Sequence, residues 1–203
     1  MKVFFKKEFK HLNLNNHIVF ICDHATNFIP KKYKCLGLTK NNENSHIAYD
    51  IGAKDVCIEL TKKLNQSYFI SNFSRLIIDP NRKQSDKDLI VPSSFGVEIP
   101  GNQKISVKDR NYRIRFFYSV YHNNLAKFIK RKLKFHKRVL IVSIHSFTKS
   151  SRNFDRGIEV GLLWNRNMNV LLKIQKELGR LKIHYGRNYP YSGFHLNYTL
   201  DKL

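Results

Sequence analysis

Apolar positions recur along this chain with two different periods, and the switches between them mark its elements. His17 to Cys22 (His-Ile-Val-Phe-Ile-Cys) is a β-branched, nearly continuous apolar run ending at a polar turn, which predicts a buried strand. Ser45 then caps a predicted helix through about Leu64: Ile47, Ile51, Val56, Leu60 and Leu64 recur near helical spacing, and Asn65 is a left-handed stop. Tyr68 to Ile70 reads as a short strand and Arg75 to Ile78 as another. From Asp79 to Ser106 the residues Pro80, Pro92, Gly96, Pro100 and Gly101 predict a long loop of the functional kind. Ser106 or Asp109 opens a long helix to about Phe135, apolar at Ile114, Phe117, Val120, Tyr121, Leu125 and Phe128. Arg138 to Ile144, with its unbroken Val-Leu-Ile-Val, has the character of a central strand. A strand over Ile158 to Trp164, a helix from Asn167 to about Leu178, a strand over Lys182 to Tyr185, a turn at Pro190 to Gly193 and a starting helix in Phe194 to Leu203 complete the pattern.

Strands alternating with helices predict an α/β chain: a three-layer α/β/α arrangement with a central mixed, partly parallel sheet, read as a single domain over 1–203. In such sheets ligands bind beyond the carboxyl ends of strands. His24 and His145 follow two of the clearest strand patterns and take that position.

Composition narrows the function classes. At 203 residues, with 42% hydrophobic and 13% aromatic residues, the chain buries a substantial core and is not disordered. Lys and Arg number 37 against 15 Asp and Glu, a net charge of +22. The basic residues are scattered, and no RNA-recognition signature, zinc-finger spacing or basic heptad organises them. Diffuse, salt-sensitive attraction to polyanions is expected, but no specific nucleic-acid partner. The apolar patch Val3 to Phe5 is too short for a signal-peptide core, and no run reaches membrane-spanning length. Cys22, Cys35 and Cys57 are odd in number and lack Cys-x-x-Cys spacing, which suits a reducing compartment, so a cytoplasmic protein is expected.

Three polar islands interrupt the apolar runs: Cys-Asp-His-Ala-Thr-Asn at 22–27, Ser-Arg-Leu-Ile-Ile-Asp-Pro-Asn-Arg at 74–82 and Ser-Ile-His-Ser-Phe at 143–147. A pair of imidazoles is the beginning of a zinc site, and arginine forks bind carboxylates. Together they point to a metal hydrolase acting on an acidic small molecule. Asp50 follows His46 by four residues, which places both on one side of the predicted helix. The plainer reading of the same residues pairs Asp50 with Lys54, Arg75 with Asp79 and Arg82 with Asp86 as ordinary ion pairs. His122, His136, His184 and His195 lie in polar or helical contexts and are read as structural.

The islands, taken with Tyr-Lys-Cys-Leu-Gly-Leu at 33–38, His-Ile-Ala-Tyr-Asp-Ile-Gly-Ala at 46–53, Ile-Pro-Gly-Asn at 99–102, Val-Gly-Leu-Leu-Trp-Asn-Arg at 160–166 and Asn-Tyr-Pro-Tyr-Ser-Gly at 188–193, resemble the N-formylglutamate amidohydrolase family in order across nearly the whole chain. The resemblance implies a zinc-dependent hydrolase related in fold to metallocarboxypeptidases. Its reaction releases glutamate and formate from N-formylglutamate, late in histidine breakdown. It implies His24 and His145 as zinc ligands, with Asp50 or Asn27 as the third; Asp50 alternatively orients a ligand histidine. Arg75 and His145 would be catalytic, Arg75 by assisting an oxyanion. Arg75, Asn81, Arg82, Asn102 and Ser146 would bind the substrate, with Gly101 and Ser192-Gly193 lining the pocket. The family pattern continues beyond the segment seen at 196–200 to a further strand bearing a general-base Glu. The chain is therefore expected to lack that C-terminal strand and to be truncated there. Two other readings stay open: a relative that binds an acidic metabolite without turnover, and a basic nucleic-acid-associated protein.

Overall fold

The computed structural model describes residues 1–8, 15–151, 154–166 and 168–203. They divide into two compact units, Met1–Ser146 with Leu203, and Phe147–Lys202. The first holds a four-stranded sheet of β1 (Phe4–Lys7), β2 (Asn16–Cys22), β3 (Ser67–Ser71) and β4 (Arg138–Ser143) in the order β1-β3-β2-β4. β2 runs parallel to both β3 and β4, while β1 adds antiparallel to β3, so the sheet is mixed and partly parallel as the pattern predicted.

Both faces of the sheet are covered, which is why β2 is apolar at consecutive positions. Phe20, Cys22 and Ile70 pack with Ala53 and Cys57 of helix α1 (Ala53–Lys63). On the other face the Phe69 ring meets Tyr121 and Phe128. Those belong to helix α3 (Ser119–Phe135), which continues from α2 (Val107–Arg113) through one π turn, Ile114–Tyr118. Ser106 caps this run by accepting the Asp109 N–H at 3.1 Å.

Four expectations are corrected. The helix expected from Ser45 begins at Ala53, after Gly52 at φ 80°, and its buried residues are Ala53, Cys57 and Thr61, small side chains that let it approach the sheet. Ile51, Val56 and Leu64, read as its apolar stripe, are exposed. Asn65 does stop it, at φ 50°. Arg75 to Ile78 is a turn rather than a strand: the Ser74 hydroxyl donates to the Ala48 carbonyl and accepts the Leu76 N–H, folding three buried apolar residues, Leu76, Ile77 and Ile78, into a bend. β4, expected to be central, forms an edge within this unit, because apolarity reports coverage of a strand's faces and not the number of its hydrogen-bonded neighbours.

The second unit pairs two short parallel strands, β5 (Val160–Leu162) and β6 (Tyr185–Arg187), with helix α4 (Asn169–Arg180) between them in sequence. Asn188 ties its loops together: its Oδ1 accepts the Trp164 and Gly193 N–H groups, and its Nδ2 donates to the Trp164 carbonyl. The helix start expected at Asn167 falls outside the described residues. No helix among the described residues is long and apolar enough to cross a membrane.

Candidate metal centre

The chain leaves β2 toward β3 on one side, through α1, and later reaches β4 on the other side, through α2 and α3. Such a reversal opens a crevice past the carboxyl ends of the two diverging strands. Ile21 of β2 lies opposite Ser143 of β4, and the Ile144 N–H extends the ladder to the Ile21 carbonyl at 2.8 Å. His24 and His145 each follow their strand by two residues and meet there, ring centroids 5.1 Å apart.

Asp50 joins them from the turn before α1, where its N–H donates to the His24 carbonyl at 2.9 Å. Its Oδ2 is 2.8 Å from His145 Nδ1 and 3.5 Å from His24 Nδ1, and it accepts the Ser146 N–H at 3.4 Å. One ligand atom from each of His24, Asp50 and His145 lies within 4.8 Å of the others, so the three can hold a metal ion. Two imidazole nitrogens and a carboxylate are donors that zinc accepts. One atom fits such an ion: His24 Nδ1 is buried and faces Asp50 Oδ2 at 3.5 Å without a hydrogen bond. A buried polar atom in that state needs a reason. The centre is open on one side, since the His145 side chain is 34% exposed while those of His24 and Asp50 are 4% and 7%.

The far nitrogen of each ring is held in turn. His24 Nε2 donates to Asp79 Oδ1 at 2.8 Å. Asp79 is fixed by the Asn81 N–H at 2.8 Å and by Arg75 Nη2 at 2.8 Å, with Arg82 Nε 3.9 Å away. Arg75 Nη1 also lies 3.6 Å from Asp50 Oδ1. His145 Nε2 is 3.1 Å from Ser143 Oγ and 3.6 Å from Asp23 Oδ2, and Asp23 Oδ1 accepts the Tyr121 hydroxyl at 2.7 Å.

Burial disfavours every charge here, yet the mutual attraction of carboxylates and imidazoles outweighs it. Burial opposes ionisation of Asp50 and Asp79, but His24, with His145 for Asp50 and Arg75 for Asp79, holds both well below the usual carboxylate range. Burial and Arg75 oppose a proton on His24, but Asp79 and Asp50 raise its pKa. For His145 burial is outweighed by Asp23 and Asp50, and its pKa is pushed up from 6.5 to about 10. The metal-free centre therefore carries protons where a cation would sit. Because a metal must displace them, its apparent affinity is expected to rise by about tenfold per pH unit for each proton displaced, up to about pH 10. Isothermal titration between pH 6 and 9 in several buffers measures both the slope and the protons released. The sign for folding is opposite: His145, raised when folded, stabilises the metal-free chain fully below about pH 6.5, and that contribution is lost as pH climbs toward 10.

Several sequence-predicted residues fall elsewhere. Asn27, the rival third ligand, turns its Nδ2 to the Glu43 carbonyl and to Asn44 Oδ1. His46 lies edge-on to Phe95 rather than beside Asp50, since no helix joins them. Arg75 forms the ordinary ion pair with Asp79, while the ion pair of Arg82 is also with Asp79 and not Asp86. Asn102, expected in the pocket, is 3% exposed, and its side chain is taken up by the Leu76 and Val91 carbonyls and by Arg113. Asn81 is half-buried at the Asp79 turn, and Ser146 is exposed beside Asp50. Sequence reasoning gave no role to Asp23 and Tyr121, and saw Asp79 only as an ion-pair partner. Their one signal was that both acids lie inside the polar islands.

A family model for N-formylglutamate amidohydrolase matches residues 16–202. The chain belongs to that family. Family membership makes it a hydrolase of the amide-cleaving kind. Among solved structures, the gene product Atu2144 from Agrobacterium tumefaciens is 27% identical, with a TM-score of 0.90 over 100% of this chain and 79% of that one. The N-formylglutamate amidohydrolase from Ralstonia eutropha JMP134 is 19% identical, with a TM-score of 0.69 over 94% of this chain and 78% of that one, a likeness of fold. No curated protein matches. The α/β fold with a mixed central sheet is thus the family's.

Proposed function

We propose that this amidohydrolase-family chain binds zinc through His24, Asp50 and His145 and hydrolyses N-formylglutamate or a similar N-acyl amino acid, releasing formate or another carboxylate. The observation that carries the reading is the convergence of these three side chains at the crevice, with a buried His24 Nδ1 left unbonded. Zinc there supplies Lewis acidity toward an amide carbonyl and acidifies water. Asp79 supports this by fixing the His24 ring through Nε2, which leaves Nδ1 for the ion.

The remaining residues divide by where they stand around the centre. Arg75 is anchored on Asp79 and lies near Asp50, and its side chain is 28% exposed; it would stabilise the oxygen that gains charge as the amide is attacked. Arg82, 25% exposed and 3.9 Å from its acid, keeps more of its fork for a substrate carboxylate, with Asn81 adding a directional hydrogen bond. Ser146, exposed and donating its backbone N–H to Asp50, would add a further polar contact for the substrate. Asn102 drops out of the substrate set.

The test is formate and amine release from N-formyl-glutamate, N-formyl-aspartate, N-formyl-methionine and N-acetyl-glutamate by zinc-loaded and chelator-treated protein. Turnover of an acidic N-acyl amino acid, abolished by the chelator and restored by zinc, is expected. Full activity after chelation rules out the metal, and no turnover of any of the four by zinc-loaded protein rules out the substrate class.

A further inference from the structure

Each imidazole of the centre has a buried carboxylate near its Nε2, at 2.8 Å for His24 and 3.6 Å for His145. Asp79 holds His24 Nε2 from the loop after β3. The matching position at His145 Nε2 has two candidates, Ser143 Oγ at 3.1 Å and Asp23 Oδ2 at 3.6 Å. Asp23 is 1% exposed, and its Oδ2 has no hydrogen-bond partner. A buried carboxylate oxygen left in that state is costly unless a donor faces it. The donor it faces is the His145 ring.

Asp23 is also held from behind. Its Oδ1 accepts the hydroxyl of Tyr121, which is fully buried on α3. The π turn at Ile114–Tyr118 sets this up, because its extra residue shifts the helix face that follows. At the end of the turn Tyr118 donates to the Arg82 carbonyl; past it Tyr121 donates to Asp23, and His122 Nε2 lies 2.9 Å from the Pro80 carbonyl. One helix face thus grips both the segment carrying Asp79 and the residue beside His24.

From this arrangement we infer that Asp23, held by Tyr121, is the positioning carboxylate of His145: it keeps the ring's proton on Nε2 and so leaves Nδ1 for the metal, as Asp79 does for His24. The inference rests on the metal-centre reading above. It makes a specific claim about Asp23→Asn. The Tyr121 hydroxyl needs an acceptor, so the amide oxygen stays with Tyr121 and the amide nitrogen turns toward His145 Nε2. A donor then faces the ring where an acceptor stood, and the favoured tautomer carries its proton on Nδ1.

Zinc and cobalt(II) titrations of the metal-free full chain test this, for wild type, Asp23→Asn, Tyr121→Phe and Ser143→Ala, with thermal unfolding of each metal-free protein alongside. Asp23→Asn is expected to weaken zinc binding by about 10- to 100-fold. It should also alter the visible cobalt band, which reports ligand identity and geometry. Tyr121→Phe is expected to weaken zinc binding less, by several-fold, and Ser143→Ala to leave it within about twofold. A merely structural role would lower the melting temperature and leave the affinity and the cobalt band of the folded fraction unchanged. If wild type binds zinc but Asp23→Asn and Tyr121→Phe bind it equally well, or if the loss appears in Ser143→Ala instead, the inference is overturned while the metal centre stands. If wild type itself binds neither metal, the centre falls and the inference with it.

Discussion

His145→Ala and His24→Ala are each expected to abolish zinc binding at the proposed centre. Elemental analysis is expected to find about one zinc per chain in the wild-type protein and a small fraction of that in either variant. Amide hydrolysis should fall by at least about 10³-fold, since the polarising charge supplies several kcal/mol of the barrier reduction. The two variants differ in a second respect. His145 is 34% exposed, so its removal leaves Asp50 and Asp23 partly reachable by water. His24 is 4% exposed and sits between Asp79 and Asp50, so its loss leaves the buried Asp79 to Arg75 and Arg82, and Asp50 to His145 and a more distant Arg75. His24→Ala should therefore also lose stability by about 3–5 kcal/mol, as breaking a buried charge pair does. Zinc retained at wild-type stoichiometry by either variant would place the metal elsewhere.

Arg113→Met is expected to be the most damaging change outside the centre. Arg113 is 1% exposed, yet it carries a full charge, and every part of its fork is engaged. Nε donates to Asp109 at 2.9 Å, Nη1 to the Ile77 carbonyl at 3.0 Å and to Asn102 Oδ1 at 2.7 Å, and Nη2 to the Gly101 carbonyl at 3.4 Å. Methionine fills much of the volume but leaves the Asn102 oxygen and the Ile77 carbonyl buried without a donor. The loss should be about 3–5 kcal/mol in urea unfolding. Asp109→Asn, at a partly exposed site, should lose about 1 kcal/mol or less. The clamp also bears on function, because Ile77 lies two residues before Asp79 and Asn102 bonds the Leu76 carbonyl. Arg113→Met should thus weaken metal binding even in the folded fraction. A loss below about 1 kcal/mol would show that these buried groups find other partners.

How legible each element was depended on whether its cause was local. The strand at His17 to Cys22 and the long helix capped by Ser106 were readable because neighbouring residues set their periods. The helix after Gly52 was misread because Ile51, Val56 and Leu64 mimic an apolar stripe, while the face that packs is made of Ala53, Cys57 and Thr61. Small residues carry little hydrophobic signal, and their value lies in how closely they let a helix approach the sheet. The turn at Arg75 to Ile78 was misread for a related reason: a run of apolar residues is equally consistent with a strand and with a buried bend, and the Ser74 hydroxyl bonds decide between them.

By itself the sequence determined the α/β order of elements and the placing of His24 and His145 past the ends of two apolar strands. Both are local facts, since a histidine that follows a buried strand must emerge at the sheet's carboxyl edge. Only the tertiary structure decided that those two strands are parallel neighbours and that Asp50, not Asn27, has its side chain beside both histidines. It alone showed Asn102 serving the scaffold, and Asp79, Asp23 and Tyr121 standing behind the imidazoles. The physical reason is separation along the chain. Hydrogen bonds such as His24 to Asp79, Asp50 to His145 and Asp23 to Tyr121 form between groups that folding brings together from positions 55, 95 and 98 apart in sequence. No period or spacing in the sequence records a contact whose geometry comes from the packing of a helix against a sheet.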